Sequence, residues 1–176
     1  MTRIFLFISA PLVLVVLVFA IYAGLNRQGP DGSAGANQRQ QAPAVRTIAL
    51  GNKPSFDDET LRQPGAKIVN YWASWCIPCR VEHPNLQALA DEGVPIYGVN
   101  YKNKPALGLA FLKELGDPYR AIVADESGLM AQGWGIAGLP TTFIIDGNGG
   151  IVLRFVGPIT RKILDSTIRP ALARAN

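Results

Sequence analysis

The chain has 176 residues, a formal net charge of +4, one histidine and two cysteines. It contains no dense basic cluster with interleaved aromatic residues, so its composition argues against a nucleic-acid-binding protein. Its two cysteines are separated by only two residues and cannot link distant parts of a fold, which also excludes a scaffold stapled by disulfides.

The N-terminal segment is strongly apolar. Apart from Arg3, the chain carries no charged side chain up to Leu25. As a helix that rises about 1.5 Å per residue, this stretch reaches the roughly 30 Å thickness of a bilayer. A cleaved signal peptide is the alternative, but cleavage after Ala23 would place the bulky Ile21 where a small residue is needed. We therefore predict a single-pass transmembrane anchor over residues 1–25.

The next segment, residues 26–45, is rich in Gly, Gln, Pro, Ser, Ala and Asn. Such a composition buries too little apolar surface to offset the entropy of ordering, so it predicts a flexible linker. The remaining part, residues 46–176, has the usual size of one domain with one hydrophobic core.

Strand and helix patterns alternate along residues 46–176. Short apolar runs rich in β-formers predict strands, apolar residues three and four apart predict helices, and the turn at 146–150 predicts a hairpin. The predicted elements are strand 67–72, helix 78–91, strand 94–99, helix 105–115, strand 121–124, a short helix or turn at 127–133, strands 142–145 and 151–156, and an amphipathic C-terminal helix whose apolar face carries Leu164, Ile168, Ala171 and Leu172. This order predicts a three-layer α/β/α sandwich with a mixed sheet.

Both cysteines lie in the segment Trp72–Arg80, where the first predicted strand passes into a helix. Their spacing suits a redox-active disulfide or part of a metal site. At a helix start, unpaired backbone N–H groups and the helix dipole stabilise an anion, so we expect Cys76 to be an exposed thiolate nucleophile. Cys79, one turn further on, is expected to be less exposed and to resolve the mixed disulfide that Cys76 forms.

Three polar residues near the pair are candidates for roles in its chemistry. Glu82 lies three residues after Cys79 and is a candidate proton relay for that thiol, with an ordinary solvated glutamate as the alternative. His83, the only histidine, is expected to face solvent. A metal-binding or copper-delivery module built from Cys76, Cys79 and His83 is a further alternative, but no cysteine remains as a fourth ligand for tetrahedral zinc, so we predict no metal. Asn70, inside the buried strand, needs a hydrogen-bond partner.

A second special stretch precedes the predicted strand 142–145. Pro140 is a candidate cis-proline there, since cis peptide bonds are nearly confined to proline. Leu139 before it and Trp75 beside the cysteine pair are candidate substrate contacts. Trp72 and Trp75 together offer an apolar platform to a peptide partner.

These motifs resemble a known family. Trp72–Cys79 after an apolar strand, with Pro140 before a later strand, resembles the thioredoxin superfamily. The chain is similar in more detail to the membrane-anchored cytochrome c biogenesis proteins of the CcmG/DsbE type. That similarity covers essentially the whole region after the linker and includes Asn70–Pro84, Gly98–Lys102, Lys113–Tyr119 and Asp146–Gly149.

The resemblance implies a thioredoxin-like domain in the bacterial periplasm, anchored in the inner membrane. It implies a redox-active disulfide with no further cofactor, in which Cys76 is the nucleophile, Cys79 the resolving cysteine, Pro140 the opposing cis-proline and Glu82 the family's acidic residue. Electrons are expected to come from a membrane thiol reductase of the DsbD/CcdA kind. They are expected to reach apocytochrome c or its maturation proteins before haem attachment. A general periplasmic thiol:disulfide oxidoreductase with other clients is the alternative.

Three positions depart from these patterns. Ala137 and Thr141 stand where the family usually has an aromatic residue and a glutamate around the cis-proline. An acidic group beside the active site is therefore missing, which bears on the tuning of the thiols and on the choice of partner. Asn70 stands where thioredoxin has a buried aspartate, so Glu82 is the expected proton acceptor in its place.

Overall fold

The structure is a computed structural model that describes residues 39–176. The predicted transmembrane anchor, residues 1–25, and most of the predicted linker lie outside the described residues. Within residues 39–176, no helix is both long enough and apolar enough to cross a bilayer.

Six helical segments and five strands form the described part. They are α1 (Asp58–Leu61), β1 (Lys67–Trp72), α2 (Ile77–Asp91), β2 (Ile96–Tyr101), α3 (Pro105–Leu115), β3 (Ala121–Asp125), α4 (Leu129–Gly133), β4 (Thr141–Ile145), β5 (Ile151–Val156), α5 (Arg161–Ile163), and α6 (Arg169–Ala175), with a π-helical turn at Leu164–Ile168 between the last two. The predicted strands and the hairpin are confirmed, with ends shifted by at most two residues.

The five strands form one mixed sheet in the order β3-β2-β1-β4-β5. β1 pairs with β2 in parallel and with β4 antiparallel, and the hairpin strand β5 forms one edge. All six residues of β1 are buried, as expected of a central strand covered on both faces. The chain segment that follows β1 therefore starts from the middle of the sheet.

The sheet separates two apolar clusters, which gives the predicted three layers. On one face, α2, α3 and the C-terminal helical segments pack against Ile68 and Trp72 of β1. On the other face, α1 and α4 pack against Val69 and Tyr71. Because side chains alternate along a strand, Asn70 lies on the same face as Ile68 and Trp72 and so faces α2.

The C-terminal helix is predicted as one amphipathic helix and is interrupted in the structure. Leu164, Ile168 and Ala171 are buried as the pattern predicts. The π-helical turn comes just before Pro170, which has no backbone N–H and would clash with the carbonyl four residues earlier in a regular α-helix. A wider turn accommodates the proline without ending the helix.

Residues 39–45, which belong to the predicted linker, contact the domain. Gln41 forms an antiparallel bridge with Gly150, and the Arg39 guanidinium donates to Asp146 Oδ2 at 2.7 Å. The described compact unit accordingly begins at Arg39. We call residues 39–45 the arm. Its composition does not predict these contacts, because backbone groups and one ion pair, rather than large apolar side chains, hold it to the domain.

Candidate active site

Cys76 and Cys79 form a disulfide where β1 leads into α2. Cys76 is the N-cap residue of α2, and its Sγ accepts a hydrogen bond from the Cys79 backbone N–H at 3.2 Å. The first turn of α2 contains no acidic residue, so the positive end of the helix dipole is not offset there. After reduction, this arrangement favours a thiolate on Cys76.

The two cysteine residues differ in solvent exposure less than predicted. The expected exposed Cys76 is wrong for the disulfide form, in which Cys76 is 4% exposed and Cys79 is 2% exposed. The flanking side chains are open instead, with Trp75 at 56% and Ile77 at 76%. A partner that reaches Cys76 must therefore approach between exposed apolar side chains.

The loop after β2 holds Trp75 in place. The Trp75 indole N–H donates to the Lys102 carbonyl at 3.0 Å, and the Ser74 hydroxyl donates to Asn103 Oδ1 at 2.9 Å. The predicted platform of two tryptophans is wrong for Trp72, which is buried in the core and stacks on Tyr119. Only Trp75 remains open to a partner.

The Leu139–Pro140 peptide bond is cis, as the sequence suggested. Thr141 lies opposite Tyr71 in the β1–β4 register, so Pro140 lies beside the end of β1 that leads to the disulfide. Leu139 is half-buried and packs against both apolar clusters. Thr141, one of the departures from the family pattern, is buried and donates its hydroxyl to the Gly138 carbonyl at 2.7 Å.

Glu82 is buried, with 1% exposure, so the alternative of a solvated glutamate is wrong. Its Oε1 accepts from the Asn70 side-chain amide at 2.9 Å, and its Oε2 accepts from the Ile159 backbone N–H at 3.0 Å. Burial raises the pKa of Glu82 from 4.5 to about 7, while these two donors pull in the opposite direction. At three residues' distance, Glu82 and Cys79 share one face of α2. A carboxyl of this kind can exchange a proton near neutral pH.

Asn70 connects this carboxyl to two other elements. Its Nδ2 also donates to Thr142 Oγ1 at 3.1 Å, and its Oδ1 accepts from the Tyr119 hydroxyl at 2.8 Å. The polar groups of Asn70 are therefore satisfied, as a buried amide requires. Asn70, Glu82, Thr142 and Tyr119 form one buried hydrogen-bonded chain, which we call the Glu82 network.

His83 is buried, so the prediction of a solvent-facing histidine is wrong. Its Nε2 lies 2.9 Å from the Gly116 carbonyl, and its ring meets Phe111 edge to face. Burial lowers the pKa of His83 and favours the neutral ring. Residues 39–176 hold no group of three His, Cys, Asp or Glu side chains placed to bind a metal, so Cys76, Cys79 and His83 are not such a group.

Sequence reasoning missed Tyr119, Thr142 and the Ile159 backbone N–H. Each is far along the chain from its partner, and no local pattern marks it. The burial of Glu82 and His83 did leave a signal, because both lie three or four residues before Leu86 on the apolar face of α2. The spacing places both residues on the side of α2 that faces the core, whereas their polar side chains suggest a position in solvent.

A sequence profile described as Redoxin matches residues 37–171. The chain belongs to the redoxin family. It is 44% identical to the thiol:disulfide interchange protein HelX of Rhodobacter capsulatus over 92% of each chain. It is also 44% identical to a thiol:disulfide interchange protein DsbE homolog of Paracoccus denitrificans, over 95% of this chain and 96% of the relative.

A solved structure of another thiol:disulfide interchange protein is also similar to this redoxin. The crystal structure of a thiol:disulfide interchange protein of the thioredoxin family from Chlorobium tepidum matches with a TM-score of 0.64 and 26% identity, over 78% of this chain and 99% of that one. This redoxin therefore has a thioredoxin-like fold and is a DsbE-type thiol:disulfide oxidoreductase whose redox centre is the Cys76–Cys79 disulfide.

Proposed function

We propose that this protein is a thiol:disulfide reductase that supplies electrons for cytochrome c maturation. Its substrates are the disulfides of apocytochrome c or of a maturation protein, which must become thiols before haem is attached. The observation that carries the proposal is the placement of the disulfide at the start of α2, with the buried Glu82 one turn below Cys79. The relatives named thiol:disulfide interchange protein support the reaction type.

The reaction is two successive thiol–disulfide exchanges. In the reduced protein, the Cys76 thiolate attacks one sulfur of the substrate disulfide, which releases one substrate thiolate and forms a mixed disulfide. The Cys79 thiol then gives up its proton, and its sulfur attacks Cys76 Sγ. This step forms the Cys76–Cys79 disulfide and releases the second substrate sulfur, so two electrons move from protein to substrate.

The N-terminus of α2 and the Glu82 carboxyl each take part in these steps. The N-terminus of α2 stabilises the Cys76 thiolate that attacks the substrate. Glu82, on the same face of α2 as Cys79, accepts the proton that Cys79 loses. Its raised pKa, about 7, suits it to take up and release a proton near neutral pH.

Trp75 and Leu139 are the proposed contacts for the substrate peptide. Trp75 is open to solvent and fixed by Lys102, so it offers a rigid apolar surface beside Cys76. Leu139 precedes the cis-proline next to the end of β1. Rigid aromatic side chains bind partners at a low cost in conformational entropy.

The proposed setting is the periplasmic face of the bacterial inner membrane. The apolar stretch before Leu25 acts as a single-pass anchor, and the redox domain lies on the periplasmic side. A membrane thiol reductase of the DsbD/CcdA kind returns two electrons to the Cys76–Cys79 disulfide after each cycle.

Trapping in cells tests this function. Cys79→Ser blocks the second exchange, so mixed disulfides should accumulate through Cys76 with apocytochrome c or maturation proteins, visible on non-reducing gels and identified by mass spectrometry. Cys76→Ser is the matched control and should trap nothing, because the attacking sulfur is gone. Trapped species that contain neither class of protein would contradict the role in cytochrome c maturation.

A further inference from the structure

Tyr119 lies between α3 and β3 and forms one end of the Glu82 network. Its hydroxyl donates to Asn70 Oδ1 at 2.8 Å. Its ring stacks on Trp72 with centroids 5.5 Å apart and planes inclined by 13°. Burial keeps the pKa of this phenol well above 10, so the hydroxyl holds its proton and acts as a donor. Nothing in the exchange reaction described above assigns a role to it.

The hydroxyl favours one orientation of the Asn70 amide. A half turn of an amide exchanges its oxygen and its NH₂ group, so the surrounding donors and acceptors select one orientation. Thr142 Oγ1 both donates and accepts, and it therefore fits either orientation. The Tyr119 hydroxyl can also do both, but conjugation of its oxygen with the ring makes it a better donor than acceptor. It therefore favours the amide oxygen on its side, which places the amide N–H groups against Glu82 Oε1.

We propose that Tyr119 is a positioning residue, whose hydroxyl keeps the Asn70 amide turned so that its N–H groups face Glu82 and favour the carboxylate form, which accepts the Cys79 proton. This inference rests on the proton-accepting role of Glu82 in the proposed function. With the hydroxyl removed, the amide is free to turn its oxygen toward Glu82. An oxygen at that place favours the protonated carboxyl, which then has no capacity for the Cys79 proton.

The other groups around Glu82 do not replace the Asn70 amide as the group that favours its carboxylate form. On α2 they are Cys79 and His83, and the His83 ring is bonded to the Gly116 carbonyl. From the segment before α5 comes the Ile159 N–H, which does not change with pH. Beyond Tyr119, Asp117 pairs with Lys53 at 2.5 Å. No salt bridge within residues 39–176 includes Glu82.

Tyr119→Phe tests the proposal because it removes the hydroxyl and keeps the stacked ring. The first measurement is the titration of the ¹³C-labelled Glu82 carboxyl by NMR in the oxidised full-length protein, where no thiol titrates nearby. The second is a rapid acid-quench experiment between pH 5 and 9. It follows, by mass spectrometry, how fast the mixed disulfide of reduced protein with glutathione resolves.

The expected result is an upward shift of about one pH unit in both midpoints, with resolution roughly tenfold slower below the midpoint and unchanged at high pH. Tyr71→Phe is the matched control, because it removes a buried hydroxyl that makes no hydrogen bond within residues 39–176. Its profile should follow the wild type.

Glu82→Gln separates positioning from general structural support. In that background, adding Tyr119→Phe should not change the pH profile further. A loss of rate that is equal at every pH, or a shift that persists without Glu82, would overturn the proposal. If the reduced wild-type protein does not reduce the disulfide of apocytochrome c or of a maturation protein, the proposed function fails, whereas the carboxyl titration still decides the role of Tyr119. An unshifted titration in Tyr119→Phe refutes that role whatever the kinetics show.

Discussion

Glu82→Gln replaces a buried ionisable group with an uncharged one of nearly the same size. In the wild-type protein, Glu82 is 1% exposed and burial raises its pKa from 4.5 to about 7. The glutamine keeps the volume and a polar head but cannot ionise. The variant therefore isolates the free-energy cost of burying the charge.

The magnitude follows from linkage between proton binding and folding. Between pH 4.5 and about 7, the folded protein keeps a proton on Glu82 that the unfolded chain has lost. Where the folded state binds more protons, the free energy of unfolding falls as pH rises, by about 1.4 kcal/mol per pH unit. Across the whole window the loss is about 3 kcal/mol, and between pH 5 and pH 8 it is about 2.5 kcal/mol. Above about pH 7, the contribution of Glu82 to the free energy of unfolding no longer changes with pH.

Urea unfolding of the oxidised protein at pH 5 and pH 8 measures this effect. We expect the free energy of unfolding of Glu82→Gln, relative to wild type, to rise by about 2.5 kcal/mol from pH 5 to pH 8. Other titrating groups cancel in this difference. One of them is His83, whose lowered pKa makes stability fall as pH drops below its ordinary value of 6.5. Any hydrogen bond weakened by the amide is also lost at both pH values.

Glu59→Gln is the matched control, because it removes a carboxyl that lies exposed on α1. Its free energy of unfolding relative to wild type should change by less than about 0.5 kcal/mol between the two pH values. If the Glu82→Gln difference is equally flat, the carboxyl is not held above its ordinary pKa, and the proton-accepting role proposed for it loses its basis.

Two further pairs of variants test the packing and the arm. Gly108→Ala places a methyl group 2.9 Å from Asn100 Oδ1 in the core and should lower the free energy of unfolding by about 1–3 kcal/mol, measured by thermal unfolding. Its control, Gly133→Ala, places the methyl group in open space and should be neutral or stabilising by up to about 1 kcal/mol. Equal effects would contradict the close packing of α3 on β2. Asp146→Ala removes the acceptor of two backbone N–H groups in the β4–β5 turn and should cost about 1–3 kcal/mol. Arg39→Ala removes the half-exposed ion pair and an exposed 3.4 Å contact with the Arg174 carbonyl, and should cost about 1 kcal/mol or less. A larger loss for Arg39→Ala would mean that the arm contributes more to stability than the turn does.

The positions of the strands and long helices could be predicted because their signals are local. Apart from Lys67 and Asn70, the strand Lys67–Trp72 is apolar because β1 is buried on both faces. Pro105 and Gly116 mark the two ends of α3. The signal for the CxxC segment is also local, because the strand end and the helix start that flank it can be predicted from about twenty residues. These signals were enough to predict the fold class and the redox pair.

The environment of the site could not be predicted in the same way. Glu82 and His83 lie at positions where helical spacing requires burial, yet their side chains suggest solvent. Only partners from other elements, Ile159 and Asn70 for Glu82 and Gly116 for His83, make that burial tolerable. A hydrogen-bond partner 77 residues away leaves no trace in the local pattern.

The sequence by itself determined that two thiols meet at the start of a helix, because three residues of spacing and a strand-to-helix boundary are properties of a short segment. The tertiary structure alone decided which groups surround those thiols. It buried Glu82, gave it donors from β1 and from the segment before α5, and placed Tyr119 against Asn70. Burial and donors set the pKa of a carboxyl, and both arise only when distant parts of the chain pack together.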